Sequence, residues 1–160
     1  MGIGLGLKII SDGRAKDMRR FCFSGVLIVL LSTCPLLAAQ SPVGKWKTVD
    51  ENSGKVTSDI DIYDQSGVLF GKIVALMDPN DKHGKPKICI ACPGADKDKP
   101  VVGLVVLKDF KQSGDRYKGT IMDPQDGKIY TAEIWVEDGN LKVRGYVGFF
   151  FQTRTWIKGT

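Results

Sequence analysis

Two cysteines three positions apart, Cys89 and Cys92 in the stretch KICIACPG, are the residues of this 160-residue chain best placed to do chemistry. A C-x-x-C pair can exchange electrons with a substrate thiol, supply half of a metal site, or close on itself as a staple. Exchange needs the first cysteine activated, ordinarily at a helix N-terminus that lowers its pKa. Here Cys92-Pro93-Gly94 reads as a turn, and no strand–helix–strand pattern surrounds it. A metal needs more ligands. His83, with Asp78 or Asp81, could complete a set around the two sulfurs, although the H-x5-C-x2-C spacing matches no standard zinc module. A staple needs only an oxidising compartment.

The remaining candidates are weaker. His83 is the only histidine, and between Lys82, Gly84 and Lys85 it reads as a solvated loop residue. A histidine-based hydrolase triad would have to use it, far from any nucleophile elbow. Asp59 and Asp61 fall on the polar side of an alternating stretch, where solvation is the ordinary explanation. We therefore assign no catalytic residue, no metal and no cofactor from the sequence.

The N-terminus bears on the compartment. Arg19 and Arg20 precede an apolar run over 21–31, and small residues end at Leu37-Ala38-Ala39. This order is that of a secretory signal peptide over 1–39, with Met18 a more natural start because Asp12 and Asp17 precede the basic pair. The run is too short, and too soon broken by Ser32, Thr33 and Pro35, to span a bilayer as a helix. Leu31-Ser32-Thr33-Cys34 approaches a lipidation box, which would anchor the protein rather than thread it. The expectation is an exported protein, periplasmic or secreted, whose mature part does not span the membrane. Its single domain would cover 40–160. The leader holds five basic residues (Lys8, Arg14, Lys16, Arg19, Arg20) and two acidic ones (Asp12, Asp17), so net charge falls from +5 to +2 on cleavage. No block of like charge survives, which argues against a nucleic-acid partner. Cys89 and Cys92 would remain as the only cysteines, and an oxidising compartment favours the staple.

The elements that must position these residues read as β structure throughout. Stretches rich in β-branched and aromatic residues, several of them alternating, run over 45–49, 57–63, 68–76, 101–107, 117–122, 128–136, 141–147 and 154–158. Asp138-Gly139 marks a hairpin, and Asp123-Pro124-Gln125-Asp126-Gly127 another turn. No window carries an apolar helical stripe. Eight short strands in succession predict an all-β antiparallel meander, and closing it into a barrel removes the exposed edges. The long loop over 77–99, between strands 3 and 4, is the one the cysteines would staple, since loops of that length are usually functional or ordered by something.

Closure would bring the first and last strands together. Trp46 is then expected as a plug at the barrel floor with Arg154 across its ring, a cation–π contact of about 1 kcal/mol. Inside, Tyr130, Ala132, Ile134 and Val136 share one face, and Leu141, Val143, Gly145 and Val147 the facing one. The small Ala132 and Gly145 could leave room. Three consecutive aromatics, Phe149, Phe150 and Phe151, cannot all point inward, so at least one should face outward or lie at a barrel mouth.

Several motifs occur in a telling order: Gly44-x-Trp46, Gly71-Lys72-Ile73, Cys89-x-x-Cys92, Lys99-Pro100-x-x-Gly103-Leu104, Asp123-Pro124-x-x-Gly127-Lys128-x-Tyr130, Arg144-Gly145-Tyr146-x-Gly148 and Trp156. In this order the chain resembles a bacterial family of small exported proteins catalogued as domain-of-unknown-function family 2147. The resemblance implies a lipocalin-like barrel behind a signal peptide and no established activity. It departs at the end, where Lys158 stands in place of an expected Arg and Arg154 precedes the last Trp. The functional expectation is a barrel that binds a hydrophobic or amphipathic small molecule. Tyr130, Trp135, Tyr146, Phe149 and Phe151 are its candidate contacts and the cysteine loop its lid, though Trp135 and Tyr130 face opposite ways and only one can line a cavity. The alternative is a solid barrel that docks an envelope protein partner through its aromatic rim. A thiol–disulfide activity ranks third.

Overall fold

A computed structural model of the protein describes residues 40–160. The expected signal peptide, the start at Met18 and Cys34 lie outside the described residues. Eight antiparallel strands follow in order: β1 Gly44–Val49, β2 Val56–Gln65, β3 Val68–Leu76, β4 Val105–Ser113, β5 Arg116–Met122, β6 Ile129–Glu137, β7 Asn140–Val147 and β8 Phe150–Lys158. Each pairs with its neighbour in sequence, and β1 pairs with β8 to close the barrel. The meander is thus legible in the order of the strands.

Tight turns hold the hairpins. Ser66 and Gly67 both take positive φ (55° and 85°) between β2 and β3, as do Asp138 and Gly139 (52° and 74°) between β6 and β7. Two left-handed residues in succession match the right-handed twist of the flanking strands. Asp64 adds a side-chain acceptor for the Gly67 amide at 3.0 Å.

Two boundaries differ from the sequence expectation. The fourth strand begins at Val105, not at 101, and runs on to Ser113. Val101 instead bonds the Lys87 carbonyl inside the long loop, and Leu104 and Gly103 bond Ile73. A bulge at Asp109 (φ 59°) then carries β4 through a polar stretch that broke the expected alternation. The eighth strand begins at Phe150, four positions before the expected start, because the three phenylalanines pair with the end of β7.

The core is one contiguous cluster that includes Trp46, Ile60, Ile62, Leu69, Ile73, Leu107, Phe110, Ile134, Leu141 and Trp156. The long loop, 77–104, joins it through Cys89, Cys92, Val101 and Leu104. Its fixed geometry includes a short 3-10 turn over Gly94–Asp96 and a salt bridge from Lys108 to Asp96 at 2.8 Å.

Candidate functional site: the open end of the barrel

In an up-and-down barrel the odd-numbered connections all emerge at one end and the even-numbered ones at the other. The two ends of this barrel differ.

The end bearing the β2–β3, β4–β5 and β6–β7 turns is closed. Trp46 is 1% exposed, and its indole N–H donates to the Pro42 carbonyl at 2.7 Å. Lys158 lies directly across the β1–β8 pairing, and its ammonium stands 4.4 Å from the Trp46 ring centroid. The cation over the plug is therefore Lys158, in place of the expected Arg154. The register decides this. Arg154 is paired with Val143, four positions along β8 from Lys158 and about 13 Å away at the strand rise.

The opposite end carries the β1–β2 turn, the long loop, the β5–β6 turn and the β7–β8 turn. One row of inner-wall residues shows how it opens. Gly119, Ala132, Gly145 and Gln152 are paired in succession across β5, β6, β7 and β8. Ala132 is fully buried. A side chain at Gly119 would run into the Lys108 carbonyl and the Phe110 ring, whereas one at Gly145 would meet nothing within 4 Å. Partners in an antiparallel ladder share a face, so Arg154 belongs with Val143 on the inner wall, and Gln152 with Gly145. Both are nevertheless exposed. Water therefore reaches the inner wall on the β7–β8 side. The expectation that Ala132 and Gly145 both leave room divides here: Ala132 is core and Gly145 borders open space.

On the facing side of the same end lies a cleft of about 720 Å³. Val56, Leu76, Met77, Ile88, Ile90 and Val101 supply its apolar lining, and Lys55, Asp78 and Lys87 stand among its polar residues. Lys87 is paired with Asp78 at 2.7 Å. Among the described residues, no carboxylate lies within salt-bridge distance of Lys55. Hydroxyl groups flank the apolar wall, with Thr48 Oγ1 2.7 Å from Ser58 Oγ and 2.6 Å from Thr57 Oγ1. The β8 end reaches toward the β1–β2 turn, where Gln152 donates to Glu51 at 3.1 Å. Two hydrogen bonds from Ser53 hold the nearby Asp50 carboxyl below its ordinary pKa, and Arg154 adds a smaller attraction.

Cys89 and Cys92 are joined as a disulfide and are almost wholly buried. Cys89 Sγ lies 3.2 Å from the Pro124 carbonyl oxygen, and the Ala91 carbonyl occupies the space a side chain at Gly127 would need. The staple thus clamps the long loop against the β5–β6 turn. His83 is exposed on that loop.

The five expected contact residues do not meet at one site. Tyr130 shares the face of Ala132 and is half-buried. Trp135 and Tyr146 are on the outer face. Arg116 stacks over the Trp135 ring at 4.1 Å, and Arg144 bridges Trp135 (5.1 Å) and Phe151 (4.5 Å). Phe151 also packs obliquely on Tyr146 with ring centroids 6.2 Å apart, while Phe149 is fully exposed at the β7–β8 turn. None of the five lines the cleft. The cleft residues themselves, Val56, Leu76, Met77, Ile88 and Ile90, had no signal in the sequence beyond belonging to strand ends and the long loop. Beside Trp135, Glu133 accepts from Arg116 at 3.0 Å and from Lys118 at 3.2 Å. Burial penalises its carboxylate, but bonds from Arg116, Tyr146 and Lys118 outweigh that and keep its pKa below the ordinary value.

Comparison with known proteins agrees with this architecture. Protein HP1028 from Helicobacter pylori, described as belonging to the lipocalin family, superposes with a TM-score of 0.63 at 20% identity, covering 75% of this chain and 84% of its own. Among curated proteins no match was found. A match to a family described as "Uncharacterized protein conserved in bacteria (DUF2147)" extends over residues 44–158. The chain belongs to this bacterial family, and its fold is a lipocalin-like eight-stranded barrel.

Proposed function

We propose that this protein binds a hydrophobic or amphipathic small molecule at the open end of its barrel, as an exported carrier or scavenger without catalytic action. The observation that carries the reading is the asymmetry of the interior. The closed end holds Trp46 buried beneath the Lys158 ammonium, while the open end leaves an apolar cleft of about 720 Å³ with the Lys55 ammonium at its edge. Small-molecule sites are commonly concave, mostly apolar and fitted with a few polar groups that orient the ligand. A molecule with an apolar body and an anionic or hydroxylated end matches this lining. The stapled loop forms one wall of the cleft through Ile88, Ile90 and Ala91. It acts as a fixed wall rather than a swinging lid, because its backbone bonds and the contact with Pro124 hold it down.

Burial of both sulfurs supports a structural role for the disulfide, since exchange requires access for an attacking thiolate. Export fits this role, because an oxidising compartment preserves the staple.

The test is native mass spectrometry of protein purified from its own host, followed by titration of delipidated protein with a fluorescent fatty acid. Wild type should carry a removable adduct and bind the probe, and Val56→Trp, which fills the cleft from a half-exposed position, should bind at least tenfold more weakly. Absence of any adduct, together with no probe binding at micromolar concentrations, would refute the carrier reading.

A further inference from the structure

The β7–β8 hairpin ends in an exposed apolar tip. Phe149 is 103% exposed, Phe150 80% and Val147 61%. A flat docking patch for another protein would be apolar on one face only. Here Val147 and Phe150 are paired on one face of the ribbon, Tyr146 and Phe151 on the other, and Phe149 caps the turn. A layer of acyl chains surrounds such a tip on every side.

Charge supplies the second observation. Between Arg144 and Arg154 the hairpin reads RGYVGFFFQTR and contains no acidic residue. Arg144 stands on the outer face and Arg154 on the inner one, each five positions from Phe149. That places both residues about 17 Å or less behind the tip at the strand rise. Neither arginine has a carboxylate within salt-bridge distance among the described residues. Arg144 instead bonds Thr153 and lies against Phe151. The layers from tip to base are phenylalanine, then tyrosine, then arginine. This order suits acyl chains, the interfacial zone and phosphate headgroups in turn.

We infer that the β7–β8 hairpin inserts its phenylalanine tip into the surface of an anionic lipid bilayer, with Arg144 and Arg154 engaging lipid phosphates. The inserted depth is that of a peripheral protein, not a span. Across the same end, Ile88 and Ile90 are also exposed, so the docked barrel would turn its cleft toward the membrane. The inference does not depend on what the cleft holds.

The experiment is co-sedimentation of the protein purified from its own host with vesicles of phosphatidylcholine alone or with 30% phosphatidylglycerol, with circular dichroism as the folding control. We expect binding to the anionic vesicles, weakened by 0.5 M NaCl. Phe149→Ser with Phe150→Ser should weaken it more than tenfold, and Arg154→Gln about fivefold, the order of one interfacial basic contact. Phe149→Ser with Phe150→Ser, which lies outside the cleft lining, should bind the fluorescent fatty acid as wild type does, which separates this result from the carrier test. No binding to anionic vesicles, or equal binding by the double phenylalanine variant, overturns the inference. So does a wild-type dimer in solution that the double variant converts to monomer while vesicle binding stays absent, since the tip would then belong to a second copy of the chain.

Discussion

Gly119 and Gly145 occupy the same row of the inner wall and should respond oppositely to one added methyl group. At Gly119 the new Cβ would lie 2.6 Å from the Lys108 carbonyl oxygen and 2.7 Å from Phe110. The first obstacle is backbone of the neighbouring strand, held by its ladder, and the second is a fully buried ring, so neither can step aside freely. Overpacking of this kind costs about 1–3 kcal/mol. Replacing a strand glycine returns about 0.5–1 kcal/mol of backbone entropy, leaving Gly119→Ala destabilised by roughly 1–2 kcal/mol. At Gly145 nothing lies within 4 Å of the added carbon, and its φ lies outside the left-handed region. Gly145→Ala should therefore keep the entropic gain and stabilise by about 0.5–1 kcal/mol. With urea m-values of about 1–3 kcal/mol/M, the two midpoints should separate by roughly 1 M. Urea titrations followed by tryptophan fluorescence, with equal slopes for both variants, would measure it. Coincident midpoints, or Gly145→Ala as the weaker protein, would refute the division of the barrel into a packed half and an open half.

Other consequences can be checked in the same assay. Trp46→Ala should cost about 3–5 kcal/mol, as large aromatic truncations in cores do; a loss below 1 kcal/mol would mean the floor does not depend on this ring. Lys158→Met should cost about 0.5–1 kcal/mol through the lost cation–π contact, and Arg154→Met less, so the reverse order would restore Arg154 as the plug. Reduction, or Cys89→Ser with Cys92→Ser, should cost about 2–3 kcal/mol from lost loop constraint and hydroxyl groups placed in the core cluster; an unchanged melting curve would refute the clamp against the β5–β6 turn. For Glu133 the folded pKa is depressed, so its contribution is present above the ordinary glutamate value of 4.5 and lost as pH falls through the folded value. Glu133→Gln should flatten the acid limb of stability between pH 5 and 2 relative to wild type, and identical limbs would show that the network contributes nothing.

What the sequence determined by itself was the periodic part of the protein. Alternation over 57–63 and 141–147, and turn signals such as Asp138-Gly139, are local properties of the chain, and they specify strands and hairpins wherever the chain folds. Closure followed from the order of eight such strands, because an open meander leaves edges unpaired. The C-x-x-C pair was legible as a staple because its spacing is written in one dimension. The site was not. Tyr130, Trp135, Tyr146, Phe149 and Phe151 were attractive as aromatics, yet which face each takes and what stands opposite depend on register between strands distant in sequence. A shift of four positions along β8 separates Lys158 over Trp46 from Arg154 near the open end. Gly119 and Gly145 are the same residue in the same row, and the Lys108 carbonyl and Phe110 ring, contributed by β4 on either side of the positive-φ residue Asp109, fill the space at one while nothing fills it at the other. Volume inside a barrel is a sum over side chains from strands far apart in the chain, so no local pattern encodes it, and the tertiary packing alone decides where the cavity lies.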